Sequence, residues 1–211
     1  AVPLFFILSG YFFFDNFSIN KTFLYYRKRY KSLLIPYIIW NVLLFLFFIL
    51  IQKIEFTSKY SSYEILTFDF SSFFKYLLVE PICGQLWYIR DLILFVFLSP
   101  SIFYILKIKF AFLLLLFFLI FNWLPIDTSF FSTEGVLFYS IGAYLGYNKN
   151  NLKLNFSMGV FLLLLVLWLF LKLVIVNRLF EYNYLINIEK ASIIIGVIVL
   201  WKSLDYFNFS K

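Results

Sequence analysis

The chain has 211 residues, of which 64% are hydrophobic and only 14% charged, with 32 Phe and 16 Tyr. A soluble domain is about half apolar and a quarter charged, so too little polar side chain is present to cover a water-facing surface. The net charge of +7 does not by itself call for nucleic acid, because in so apolar a chain the first question is which turns carry it; the single Cys83 excludes an internal disulfide, and the absence of histidine removes the usual imidazole ligand, so no metal site is expected.

Crossing a hydrocarbon layer of ~30 Å takes about 20 apolar residues, and only helices or closed barrels satisfy the backbone there. Barrel strands alternate polar and apolar positions, whereas residues 110–124 and 160–171 are apolar on every face. The expected fold is therefore all-α, a polytopic transmembrane helix bundle forming one domain over 1–211. Seven crossings are predicted, at residues 2–14, 33–51, 86–106, 110–124, 135–147, 156–176 and 191–204. The first, fifth and last are short, so they need interfacial Tyr, Phe or Trp as anchors or little tilt.

The first segment begins inside an apolar run without a start methionine or a basic leader. It reads as an internal piece of a longer protein rather than a signal peptide. Pro3 and the Ser9-Gly10 pair within it suggest a kink and close helix packing.

Counting connections alternately, the odd set (after the first span, after the third, after the fifth, and the tail) carries eleven cations, and the even set five. That bias is the positive-inside pattern and predicts that the odd connections face the cytoplasm. The longest outer connection is residues 52–85, within which 70–78 could lie as an amphipathic surface helix. In the first cytoplasmic connection, Arg27, Lys28, Arg29 and Lys31 lead into the second span. They suit a topology anchor with snorkelling stems, or contacts to the phosphates of an anionic donor.

Residues 86–93, Leu-Trp-Tyr-Ile-Arg-Asp-Leu-Ile, place Arg90 and Asp91 one turn into an apolar helix. Intramembrane charges are costly and normally face the protein interior. Neighbouring residues point about 100° apart, so each is expected to find its partner elsewhere, in an interhelical ion pair or a substrate. Ser99-Pro100 reads as a bend or terminus at the far end of that span. Glu134 opens the fifth span, where a carboxylate is stabilised by the helix dipole; a contact between Arg90 and Glu134 is a further expectation. Gly142 and Gly146 form a small-xxx-small face of the kind that packs helices. No nucleophile and base pair can be assembled from these residues, since no histidine is present to activate a hydroxyl.

Four stretches together resemble the acyltransferase 3 family of bacterial membrane O-acyltransferases: Val2-Pro-Leu-Phe-Phe-Ile-Leu-Ser-Gly-Tyr11; Arg29-Tyr-Lys-Ser-Leu-Leu-Ile-Pro-Tyr37 with Trp40; Leu86-Trp-Tyr-Ile-Arg-Asp-Leu92; and Phe138-Tyr-Ser-Ile-Gly-Ala-Tyr-Leu-Gly146. The resemblance covers the chain to about Tyr147. It implies a bundle of about ten helices in the bacterial cytoplasmic membrane. That bundle moves an acyl group, commonly acetyl, from cytoplasmic acyl-CoA to a hydroxyl of a cell-surface or exported glycan or a lipid-linked sugar. Arg90 is then the site residue of first choice, Arg27, Lys28, Arg29 and Lys31 would meet the acyl-CoA phosphates, and Glu134 is a further candidate. Membrane lipid and the two substrates are the implied partners, without a resident cofactor, metal or nucleic acid. The family's first helix, with an arginine and the histidine thought to be catalytic, would precede Ala1, so this chain alone is expected to be inactive. A glycan or lipid transporter and a non-catalytic membrane partner remain open as alternatives.

Overall fold

The computed structural model describes residues 2–52, 74–77, 81, 84–108, 110, 112–113, 115–117, 120, 132–149, 156–177 and 182–206. The described chain is helical, with no strand among the described residues. In order the helices are α1 (Val2–Phe14), α2 (Thr22–Arg29), α3 (Ile35–Gln52), α4 (Trp87–Phe97), α5 (Ser99–Lys107), α6 (Thr133–Tyr147), α7 (Met158–Val176) and α8 (Tyr182–Tyr206). A π-helical turn, Tyr30–Leu34, joins α2 to α3.

Four stretches are long and apolar enough to cross a membrane: Ile19–Phe47, Trp87–Lys107, Met158–Val176 and Tyr184–Ser203. At 13 and 15 residues, α1 and α6 fall short of that length, and the fourth expected crossing, residues 110–124, lies largely outside the described residues. The last helix is longer than hydropathy suggests, running 25 residues where 191–204 is expected. Hydropathy reads side chains, but the helix continues through Glu189 and Lys190 because neither proline nor glycine lies between Tyr182 and Ile195 and its backbone bonds are internal.

The chain falls into two compact units. One comprises Ala1–Phe17, Ile108–Asp127 and Thr133–Lys211; the other comprises Ser18–Lys107 and Thr128–Ser132.

In the first unit, α1 buries Pro3, Phe6, Ile7, Gly10, Phe13 and Phe14, a spacing of three and four that forms one helix face. That face lies on α6 in backbone contact: a Cβ on Gly10 would meet the Tyr139 carbonyl, one on Gly142 the Ile7 carbonyl and one on Gly146 the Tyr11 carbonyl. The pairs 7 with 142 and 11 with 146 share one offset, so α1 and α6 run parallel. With lipid as apolar as leucine, hydrophobicity does not drive such pairing; close van der Waals contact does, and small residues permit it. The Phe14 and Tyr139 rings close the end of the seam edge to face, with centroids 6.3 Å apart.

Also in this unit, α7 packs antiparallel on α8, with Trp168 against Gly196 at one level and Lys202 over the Phe156 ring at another. Ser157 caps α7 by accepting from the Val160 amide at 3.4 Å. After α6, Lys149 takes a left-handed conformation, φ 53°, and its amide donates to the Gly146 carbonyl. That conformation disfavours a side chain, so Lys149→Gly is expected to raise stability by about 1 kcal/mol. A thermal unfolding series in one detergent checks this; no gain would mean the lysine side chain is worth as much as the relief.

In the second unit, the expected surface helix over 70–78 is described only at 74–77, a single helical turn. The rest of that stretch lies outside the described residues, and the described turn touches α3. Tyr76 packs against the buried Phe45 of α3, and the Tyr37 hydroxyl donates to the Leu77 carbonyl at 2.6 Å. An aromatic body and a backbone carbonyl both find partners on α3.

Candidate functional site

The second unit is built around one long helical rod. From Ile19 to Phe47 no glycine interrupts the chain, and the one breaker is Pro36 at the second position of α3. A proline removes its own amide and crowds the carbonyl four residues back, here that of Ser32. Ser32 sits in the π-helical turn, which widens the backbone at that point. The rod therefore passes the proline without ending, and the basic residues 27–31 lie on it rather than in the loop expected from hydropathy.

Against this rod α4 runs antiparallel. Tyr26 stacks obliquely on Phe97 with ring centroids 5.5 Å apart and donates its hydroxyl to the Phe97 carbonyl at 3.0 Å. That carbonyl is available because the helix breaks at Leu98, between α4 and α5. Pro100 has no amide for the carbonyl of Val96, and the Ser99 hydroxyl takes it at 2.7 Å. Two hydroxyls thus donate to carbonyls at the break. Ser99-Pro100 bends one span in its interior instead of ending it, because Ser99 and Tyr26 supply what Pro100 removes.

Between the rod and α4 lies a small cleft of about 30 Å³, lined by Tyr26, Arg29, Tyr30, Leu33 and Leu34 on one side and by Ile93, Val96 and Phe97 on the other. Its walls are apolar except at the Arg29 end.

Further along the same seam are Tyr37 and Asn41 from α3 and Arg90 and Asp91 from α4. Tyr37 is within electrostatic reach of both charges. Asp91 is fully buried and Arg90 is 11% exposed. The Arg90 Nε and one terminal nitrogen both donate to Asp91 Oδ1, at 3.0 and 2.8 Å. Asp91 Oδ2 accepts from the Ser132 amide at 2.9 Å. The expectation that the two neighbours do not neutralise each other is therefore corrected. The Cα directions diverge by a helical step, but the arginine stem is long enough to fold back along the helix surface onto the adjacent carboxylate. Asp91 does also reach a distant partner, through its second oxygen.

Asn41 is buried. Its amide nitrogen donates to the Tyr37 carbonyl at 2.9 Å, while Oδ1 has no hydrogen-bond partner. Neither Tyr37 nor Asn41 is among the candidates that sequence reasoning selects. A signal is nonetheless present: Asn41 is the one amide side chain between Ile35 and Leu50, on a helix otherwise apolar or aromatic, and such a group is buried only at a cost unless it is used.

The sequence-derived candidates are thus placed as follows. Arg90 belongs to the buried cluster. Arg29 is half-buried and lines the cleft, while Arg27, Lys28 and Lys31 are exposed. The basic run and Arg90 are expected at opposite ends of a span, but Tyr30 and Tyr37 are seven residues apart on one rod, ~10 Å at 1.5 Å per residue. Two turns separate them. Glu134 is half-buried in the first turn of α6 and belongs to the first unit. Cys83 lies outside the described residues.

This arrangement offers fixed N–H donors at a water-poor site, flanked by an apolar cleft and a cationic helix turn. It suits the recognition of a long ligand with an anionic end. A family profile described as an acyltransferase domain, of the acyltransferase 3 type, matches residues 1–207. Neither a curated protein nor a solved structure matches the chain.

Proposed function

The chain belongs to the acyltransferase 3 family, and from that premise we propose that it is the membrane-embedded part of an enzyme moving an acyl group from cytoplasmic acyl-CoA to a hydroxyl of a cell-surface or exported glycan. In this reading the protein sits in the bacterial cytoplasmic membrane with the basic turn 27–31 at the cytoplasmic side. Arg27, Lys28, Arg29 and Lys31 meet the phosphates of the donor, and Arg90 serves the reacting end. The sugar hydroxyl attacks the thioester carbonyl, the C–S bond breaks and the thiolate leaves as CoA, while the hydroxyl proton passes to a base. In the family that base is thought to be a histidine, and the 211 residues hold none. The Arg90 guanidinium presents a planar fork of donors to the oxygen that gains charge in the tetrahedral intermediate, and Asp91 fixes its orientation.

The observation that carries this reading is that Arg29, which lines the cleft, and Tyr37, within electrostatic reach of the buried Arg90, lie about two helical turns apart on one rod. Truncating Arg90 is a poor test, since it would strand the buried Asp91 charge. Arg90→Lys keeps a cation beside Asp91 but loses the fork. In the full-length protein it is expected to lower glycan acylation about a hundredfold, at unchanged protein level in the membrane. Acylation at the normal level, measured by mass spectrometry of the surface glycan, would remove Arg90 from the site.

A further inference from the structure

We infer that an apolar cleft in the first unit, between α6 and the helical residues 112, 113 and 116, holds an acyl chain of an anionic phospholipid whose phosphate is met by Lys149. This goes beyond the acyl-transfer reading and does not rest on it.

The cleft measures about 220 Å³ and is lined by Phe112, Leu113 and Leu116 on one side and by Ile141, Tyr144 and Leu145 of α6 on the other. All six belong to the first unit. Two stacked rings brace it: Phe112 and Tyr144 lie within 5° of parallel, with centroids 4.4 Å apart. Five of the six lining side chains carry no polar atom, whereas a trapped water needs about two to four polar partners. Left empty, the cleft would forfeit the dispersion contacts of its walls. A cavity of about 150 Å³ lined by such side chains suffices for a benzene-sized occupant, so this one has room for a stretch of methylene chain.

Hydrocarbon alone selects no particular lipid, because a membrane offers equally apolar chains everywhere. The selection comes from the end of α6. Leu145 is the last α6 residue on the cleft, and Lys149 follows four positions on, one helical turn or ~6 Å along the axis. Lys149 is exposed and takes the left-handed conformation, φ 53°, that a side chain disfavours. Its amide donates to the Gly146 carbonyl at 3.0 Å, which fixes the root of the side chain at that end of the helix. Glycine or asparagine would adopt this conformation at less cost, so the lysine is held there for its charge. The connection it opens, residues 148–155, carries Lys149 and Lys153 and no acidic residue. Charge complementarity therefore sets an anion beside Lys149, where an apolar helix gives way to polar chain, the depth of lipid headgroups. Phosphatidylcholine would bring a second cation to the lysine; phosphatidylglycerol brings net negative charge.

The test titrates the purified chain in a nonionic detergent with phosphatidylglycerol and with phosphatidylcholine of the same acyl chains, read by native mass spectrometry. Phosphatidylglycerol is expected to bind about fivefold more tightly, which is what one lysine contributes near an anionic headgroup. Lys149→Asn suits the left-handed conformation and removes the charge. It should bring the two lipids within about twofold of each other and leave phosphatidylcholine binding as it was. Leu116→Phe and Leu145→Phe fill the cleft from opposite walls and should weaken both lipids about tenfold, the worth of about two buried methylene groups. Two fillers are used so that a variant that aggregates on gel filtration does not decide the matter, and Lys149→Asn adds no bulk.

Equal affinity of the unaltered protein for the two lipids overturns the inference, since the cleft then takes any hydrocarbon. A preference that survives in Lys149→Asn also overturns it, placing the headgroup elsewhere and leaving the lysine to offset the α6 dipole. So does unchanged phosphatidylglycerol binding in the folded fillers, because the chain then lies outside the cleft. None of these results bears on acyl transfer.

Discussion

Gly142→Leu is expected to leave no stable first unit, and even Gly142→Ala to cost about 3 kcal/mol, the upper end of what overpacking costs in a close-packed interior. The reason is the identity of the atom in the way. A Cβ on Gly142 points at the Ile7 carbonyl, with the Ile7 carbonyl carbon 2.7 Å and its Cα 2.8 Å from it. A flexible side chain could swing aside, but a helix backbone can yield only by moving the whole of α1, and Gly10 and Gly146 lock that helix at two further points against Tyr139 and Tyr11. Gly159 provides the control. Its added Cβ would meet nothing nearer than Ser157 Oγ at 3.9 Å, so Gly159→Ala should be neutral or gain up to ~1 kcal/mol from helix propensity. The readout is the denaturation midpoint in mixed micelles for both variants. Equal midpoints for Gly142→Ala and Gly159→Ala would show that α1 and α6 do not pack through their backbones.

The same glycines separate what is legible in the amino-acid sequence from what is not. That Gly142 and Gly146 make a packing face follows from their spacing, and the apolar runs place most helices within a few residues. Which helix they meet does not follow, because Gly10 lies more than a hundred residues away and a small residue carries no signature of its partner. Sequence patterns mislead where the backbone, not the side chain, decides. Ser99-Pro100 reads equally as a bend or a terminus because proline disturbs helices, and two hydroxyls that take up carbonyls there decide for the bend. Residues 27–31 resemble a loop because they are charged, yet nothing in them stops a helix. Arg90 is legible as a buried charge but its pairing with Asp91 is not, and Asn41, one amide in an apolar helix, gains its meaning only from its burial.

The second large effect concerns that pair. Asp91→Ala is expected to destabilise the protein by about 3 kcal/mol, because it takes from the largely buried Arg90 its adjacent carboxylate and removes the acceptor of the Ser132 amide bond. Arg90→Met should cost a similar amount by stranding Asp91, which is fully buried. The double variant Arg90→Met, Asp91→Leu removes both charges together and should cost far less than the two single changes added, since isosteric apolar replacement of a buried ion pair is often close to neutral. Asp91→Asn separates the two roles of the carboxylate: it can keep the bond to Ser132 while losing the charge, and should fall between wild type and Asp91→Ala. Stability is read by denaturant unfolding in micelles, and acylation by the full-length protein in parallel. A double variant that is stable and inactive assigns the pair to function rather than folding. Strict additivity of the two single losses would mean that Arg90 and Asp91 do not depend on each other, contrary to the two short bonds between them.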